Sequence, residues 1–368
     1  MSAMGAASPF ALAPTGLRAH LVDRLGERLR RAGLDGVLGQ LDRVAERCQV
    51  PGEAAGEGFT WDDVDRSDPS WWPQGVAALD SGNVLLVSWY AKRGRFLRTP
   101  GSRISVVDRT RPGDPRYGHV LLVVPRRPLG VLLMGRVRVH AGGIAVHGGH
   151  LYVADTLFGV RVFRLHDLMQ VRRPEPRRPR MGVLRRSAGG GFGRHGCDHV
   201  LPQLMAFRVP LRRGARRFRY SFLSIGDVAG RPNLVVGEYR RKAEGPPRLA
   251  RYPLDPRTGL PVVGDQGRCA PVEVYEGQPS RMQGAAVHDS TWFVTASAGE
   301  GVDGDLYVGA PDRWHRHRGV LPSGPEALAW SRPGEELWCL SEAPGRRWVF
   351  PIATTAWAAD VSADGSPG

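Results

Sequence analysis

The sequence predicts an all-β chain: a five-bladed β-propeller with a short N-terminal helical extension. Three observations point there. Helical periodicity is confined to residues 15–48; from about residue 58 onward short β-rich runs separated by Gly, Pro, Asp and Arg replace it; and one three-strand pattern then recurs to the end of the chain. The corresponding division is residues 1–55 for the extension, 56–355 for the propeller and 356–368 for a disordered tail.

In the extension, Leu17, Leu21, Leu25 and Leu29, then Leu34, Leu38 and Leu41, recur at three- and four-residue spacing among charges of both signs, as amphipathic helices require. Gly33 and Gly36 are expected to divide the segment into two helices, which would pack on the main domain or on a protein partner. The acidic Asp23, Glu27, Asp35, Asp42 and Glu46 argue against a transit peptide.

The repeat is clearest in GGIAVHGGHLYVADTLFGVRVF, residues 142–163: a Gly start, a strand, a tight turn, a strand ending in Ala-Asp-Thr, a second turn and a third strand. Four further segments match, from Pro73, Pro202, Met282 and Gly324. Fourth strands are expected at 119–125, at 248–254 or 271–277, and at 316–322. Five copies spaced by about 40 to 80 residues describe propeller blades with unequal loops. The ring needs a closing strand, and GFTWDDVD at 58–65 is the expected donor. A pair of Greek-key sandwiches is the structural alternative, but it leaves the recurrence of Gln at one repeat position without a cause.

The formal charge of +15 comes almost wholly from Arg, since Lys92 and Lys242 are the only lysines. With Gly, Ala, Pro and Val also abundant, this reads as compositional bias rather than as a polyanion site. The local exception is the Pro- and Arg-rich stretch 172–186, expected to be an exposed loop that is either simply solvated or in contact with an acidic surface. Aromatic residues do not interleave with it, so no nucleic-acid partner is expected. Cys48, Cys197, Cys269 and Cys339 form no CxxC pair and are expected to be free thiols. No run reaches the roughly 18 apolar residues of a membrane span, and the N-terminus lacks a secretory pattern, so a cytoplasmic protein without a membrane partner is expected.

LYVADTLFGVRVF resembles the NHL-type repeat, and similar sequence occurs in gluconolactonase-like and strictosidine-synthase-like propellers. The span 58–352 is also similar to uncharacterised actinobacterial propeller proteins. The resemblance implies the propeller fold and, through the gluconolactonase-like members, a divalent ion near the channel mouth. Those relatives usually carry six blades, against the five counted here.

Blade topology puts the start of each innermost strand and the end of each second strand on one face, around the channel mouth. The starts are Gln74, His140 with Gly142, Gln203, Gln283 and Glu326; the ends are Ser88 with Trp89 and Tyr90, Asp155 with Thr156, Ser224 with Asp227, Ser297 with Glu300, and Ser341 with Glu342. Amides at such positions can simply satisfy backbone groups and waters in the channel. A carboxylate there is costly unless paired, hydrated or metal-bound. Asp155, Glu326, Glu342 and His140 are therefore the expected catalytic groups, with Gln74, Gln203, Gln283, Trp72, Trp89, Tyr90 and Ser297 lining a substrate site. If a metal is bound, Asp155, Glu326 and Glu342 would hold calcium or magnesium, which suit all-oxygen ligands. No nucleotide fingerprint is present: GGGFG at 189–193 lacks the strand-to-helix setting. His147 and His150 fall on the opposite face. RHGCDH, with His195, Cys197, Asp198 and His199, reads as a ligand cluster, as a Cys-His pair or as part of a loop over the mouth, and WHRHR at 314–318 as an exposed edge strand.

These features lead to a small-molecule enzyme with non-redox acid/base chemistry, a lyase, cyclase or hydrolase, in specialised metabolism. The alternative is a non-catalytic propeller that binds protein or glycan.

Overall fold

The computed structural model describes residues 8–79, 81–92, 100–171, 197–210, 216–288, 290–331 and 336–363. The 172–186 stretch and His195 lie outside them. Alternating apolar residues build successive antiparallel four-stranded runs. The first comprises Trp71–Ala78, Val84–Ala91, Ser102–Asp108 and Arg116–Arg126; the second Ile144–His147, His150–Asp155, Gly159–Arg164 and His199–Arg208. The third follows with Phe222–Val228, Arg231–Gly237, Leu249–Pro253 and Glu273–Tyr275; the fourth with Met282–His288, Thr291–Ala296, Gly304–Ala310 and Arg313–Leu321. The last is Ala329–Ser331, Glu336–Leu340 and Trp348–Ala353, completed by Gly58–Thr60, the segment expected to close the ring.

The first strands of the runs face one another about a common axis, which makes the molecule a β-propeller. A cavity of about 30 Å³ on that axis is walled by Ala77, Ile144, Ser224 and Ala329, each at the first strand of a different run. Consecutive first strands approach until only glycine fits. A Cβ at Gly143 would stand 2.3 Å from Leu223 N, and one at Gly284 would stand 2.5 Å from Leu328 N. The circuit returns to its start where Ala327 N–H donates to Gln74 O at 3.3 Å. Gly284→Ala is therefore expected to cost about 1–3 kcal/mol of stability, read as a fall in the denaturation midpoint; an unchanged midpoint would show that the axial packing is loose.

Between the runs lie apolar layers in which Val, Leu, Ile and aromatic side chains are almost wholly buried. Under the first run a polar network interrupts the apolar layer. Asp65 accepts from Arg103 Nη2 at 2.7 Å, from Tyr117 Oη at 2.8 Å and from His119 Nε2 at 2.8 Å. Trp89 Nε1 donates to Ser105 Oγ at 2.8 Å, and Ser105 Oγ lies 3.0 Å from His119 Nδ1. An indole can only donate, so the Ser105 hydroxyl hydrogen is free for Nδ1, leaving the Nε2 proton for Asp65. Desolvation would raise the Asp65 pKa, but His119, Arg103 and Arg43 outweigh it and hold the carboxyl well below the usual range. Burial and Arg103 push His119 down to about 4, against the pull of Asp65, in keeping with this neutral tautomer.

Several expectations change here. The helices of the N-terminal segment are short, Ala19–Gly26 and Gly33–Leu38. Between and around them short strands join sheet edges: Ala13–Thr15 on His199–Arg208, Arg30–Arg31 on Met169–Gln170, Arg43–Val44 on Arg116–Arg126, and Glu46–Cys48 on Gly58–Thr60. The segment is thus part of the propeller's outer rim rather than a separate extension. Leu21, Val22 and Leu25 are buried against it, so that helix face is not open to a partner, while Leu17 is exposed. At the other end, Thr354–Ala363 is a helix instead of a disordered tail, with the Trp357 ring 4.8 Å from that of His317. The copy expected from Pro202 is displaced: His199–Arg208 closes the second run, and the third begins at Phe222, so 248–254 supplies a third strand and 271–277 the fourth.

Candidate functional site

At the end of the axis where the first strands begin, a cavity of about 530 Å³ opens to solvent. Its wall draws on every run: Gln74 and Tyr90, then His140, Gly142 and Thr156, then Ser221 and Tyr239, then Gln283, and finally Glu326 and Glu342. Tyr239, Gln283 and Glu342 also border an adjoining cavity of about 600 Å³, which contains Trp72, Lys92 and Ser297. The two form one bilobed cleft with the glutamates on its inner side.

The two carboxyls are held in parallel ways. Gln74 Nε2 donates to Glu342 Oε2 at 2.6 Å, and Gln283 Nε2 donates to Glu326 Oε1 at 3.0 Å. Gln74 Nε2 is itself anchored on Pro73 O at 2.8 Å. Glu326 is fixed by its backbone, since its N–H donates to Leu340 O and its carbonyl accepts from Thr295 Oγ1 at 2.7 Å. Desolvation, reinforced by the neighbouring Glu342 charge, drives the Glu326 pKa well above the ordinary carboxylate range. Desolvation also raises that of Glu342, opposed by the Gln74 hydrogen bond, Lys92 and Arg347. Both shifts follow from placing two acids in one low-dielectric wall with few cations in contact.

Above them, burial and both glutamates raise the Tyr90 phenol, keeping it a neutral donor. The His140 ring lies 4.3 Å from the Tyr90 ring. It lines the cavity with part of its surface exposed, and desolvation together with Lys92 depresses its pKa to about 4, so it is a neutral imidazole at pH 7. Thr156 Oγ1 is buried in the wall without a hydrogen-bond partner among the described residues, a polar atom that a ligand could satisfy. Arg347, fully buried, ties the floor together: its guanidinium donates to Glu342 O at 2.9 Å, Asp65 O at 2.5 Å and Trp71 O at 2.7 Å.

Of the expected site residues, Gln74, Tyr90, His140, Gln283, Glu326 and Glu342 meet in the inner lobe, and Trp72 and Ser297 in the outer one. Three do not. Asp155 is paired with Arg161, whose Nη2 is 2.7 Å away, and it borders neither lobe. Gln203 lies on the outermost strand of its run, accepting from Arg161 Nη1 at 2.8 Å, so it belongs to the same ion-pair cluster. Trp89 is fully buried within the Asp65 network. Asp155→Asn is accordingly expected to lower stability by about 1–3 kcal/mol through an under-satisfied Arg161, leaving ligand binding in the cleft intact; a fall in binding at unchanged stability would return Asp155 to the site.

Ser224 and Asp227, expected at a second-strand end, lie on a first strand, with Ser224 Oγ donating to Ala285 O. His147 and His150 flank the Gly148–Gly149 turn at the far end of their strands. Residues not singled out in the sequence include Ser221, Tyr239, Arg241 and Arg281. Among the described residues no three His, Cys, Asp or Glu side chains gather as metal ligands. With Asp155 committed to Arg161 and each remaining glutamate accepting from an amide, the residues present do not fit the expected calcium or magnesium site.

No family model and no curated protein matches the sequence. Among solved structures, a gluconolactonase from Xanthomonas campestris is 14% identical, with 85% of this chain and 88% of that chain covered at a TM-score of 0.35. The β-propeller domain of Cps50 (Swd1) from Myceliophteria thermophila is 8% identical over 84% of this chain and 99% of that chain, at a TM-score of 0.38. A chain of a nidogen/laminin complex is 13% identical over 82% and 86%, at a TM-score of 0.35. Similarity of this degree carries no argument about activity, which rests on the cleft itself. No described helix is long and apolar enough to cross a membrane.

Proposed function

We propose that this chain is a five-bladed propeller enzyme that binds a small organic substrate in the axial cleft and transforms it by non-redox acid/base chemistry, as a lyase, cyclase or hydrolase. The blade count rests on the closed circuit of first strands and on the strand from residues 58–60 that completes the last run. The observation that carries the catalytic reading is the pair Glu326 and Glu342, two carboxyls with raised pKa values in one cavity, each oriented by a glutamine amide. Crowded acids whose environments differ separate into a proton donor and a proton acceptor. Glu326, the more deeply buried, holds its proton and acts as the general acid. Glu342, partly balanced by Gln74, Lys92 and Arg347, ionises first and acts as the base. His140 and Tyr90, both neutral, position the substrate by hydrogen bonding, while Trp72 and Ser297 line its approach.

The test is direct. A pooled small-molecule extract is incubated with the wild type and with Glu326→Gln and Glu342→Gln, and consumption is followed by mass spectrometry. At least one compound is expected to be consumed by the wild type alone. Equal consumption by all three proteins, or consumption by none while the wild type still binds the compound, would refute the enzyme reading in favour of a binding module.

A further inference from the structure

The outer lobe brings together Lys92, Arg241, Arg281 and Arg346. Elsewhere in the chain cations meet acids: Arg161 pairs with Asp155, Arg248 with Glu238, Arg316 with Asp305, and Arg43 with Asp62. None of the four in the lobe makes a salt bridge with a described carboxylate. Lys92 Nζ sits 3.3 Å from the centre of the Trp72 ring, and Arg281 Nη1 is held by Ala298 O at 2.7 Å. The acids bordering the lobe are the exposed Glu300 and Glu342, so the four cations outnumber them. Unpaired cations around a concavity leave a field that an anion would neutralise, and guanidinium groups match the planar or tetrahedral oxyanion by paired N–H donation.

We infer that the ligand of this cleft carries an oxyanion, a phosphate monoester or a carboxylate, which docks on Lys92, Arg241, Arg281 and Arg346 while its uncharged part reaches the inner lobe between Glu326 and Glu342. The inference deepens the acid/base reading and rests on it for the placement of the reacting part. An anionic handle held at one end explains how a substrate can be oriented beside two acids without being repelled: the four cations of the outer lobe hold the charged end, and only the uncharged part passes between the glutamates. The concave shape, continuous with an inner lobe of about 530 Å³, fits a small molecule rather than a duplex.

The experiment is a calorimetric titration with inorganic phosphate at constant ionic strength, on the wild type, Arg281→Ala, Arg346→Ala and Lys92→Ala, with the exposed Arg257→Ala as control and near-ultraviolet circular dichroism to verify folding. Saturable binding by the wild type, weakened roughly tenfold in each lobe variant and unchanged in Arg257→Ala, is the expected result. Phenyl phosphate and benzoate then identify the oxyanion, and either one binding better than uncharged benzyl alcohol supports the inference. Absence of saturable phosphate binding, equal weakening in Arg257→Ala, or benzyl alcohol binding as well as both acids overturns it. So does a single-stranded oligonucleotide that outcompetes phenyl phosphate with steep salt dependence. Glu326→Gln is expected to bind phosphate like the wild type, so loss of turnover without loss of binding, or the reverse, tells failure of this inference from failure of the acid/base reading.

Discussion

Glu326→Gln is expected to lose about 10²- to 10⁴-fold in turnover, the usual contribution of a positioned general acid, and yet to fold at least as well as the wild type at neutral pH. The amide oxygen of the replacement can still accept from Gln283 Nε2, so the hydrogen bond seen at 3.0 Å survives while the titration disappears. The sign of the stability effect follows from the raised pKa. Below the unfolded value, about 4.3, the carboxyl is protonated in both states and makes no difference. As pH rises above that value the unfolded chain releases the proton while the folded chain retains it, so wild-type stability declines until the folded pKa is passed. Unfolding midpoints measured at pH 4 and pH 8 should therefore coincide with those of Glu326→Gln at the lower pH and fall below them at the higher. A variant that lost activity and stability together would instead mark Glu326 as a structural group.

Asp65→Asn should act in the opposite sense, removing about 3–5 kcal/mol of stability at neutral pH, the usual cost of breaking a buried charge network by deleting one partner. Arg103 would be left nearly buried without its anion, and the chain of hydrogen bonds from Trp89 through Ser105 and His119 would lose its acceptor. Because the folded pKa of Asp65 lies below the unfolded value, its contribution is complete above about 3.8 and is lost as pH falls further. The difference between wild type and variant should thus shrink in acid. Arg347 links the Asp65 carbonyl to that of Glu342, so a smaller loss of turnover is expected alongside. A variant as stable as the wild type at pH 7 would contradict the account of this network.

The placement rule read from the sequence, first-strand starts and second-strand ends around one mouth, brings Gln74, Tyr90, His140, Thr156, Gln283, Glu326 and Glu342 to the inner lobe but not Asp155 or Trp89. Applied to the observed strands, that rule selects Ser221, just before Phe222–Val228, and Tyr239, just after Arg231–Gly237, and both line the inner lobe. The slip arose because PQLMAFRV has the Pro-Gln opening of the first run, while an outer strand buried on both faces reads in one dimension much like an inner one. Three facts were not legible. Asp155 finds Arg161 across a hairpin, Trp89 finds Ser105 and His119 from neighbouring strands, and Leu21 and Leu25 are covered by sheet edges far away in the chain. Each depends on a tertiary partner that local periodicity does not encode.

The central claim is that Glu326 keeps its proton where an exposed glutamate has lost it. Infrared spectra of the wild type minus Glu326→Gln, recorded across a pH series, measure this directly through the carbonyl stretch of a protonated carboxylic acid. The account predicts that this band persists at pH values well above 4.5, the ordinary value for a glutamate, and is absent from the variant. Its disappearance near that ordinary value would show Glu326 ionised like an exposed carboxylate and would contradict the acid/base reading.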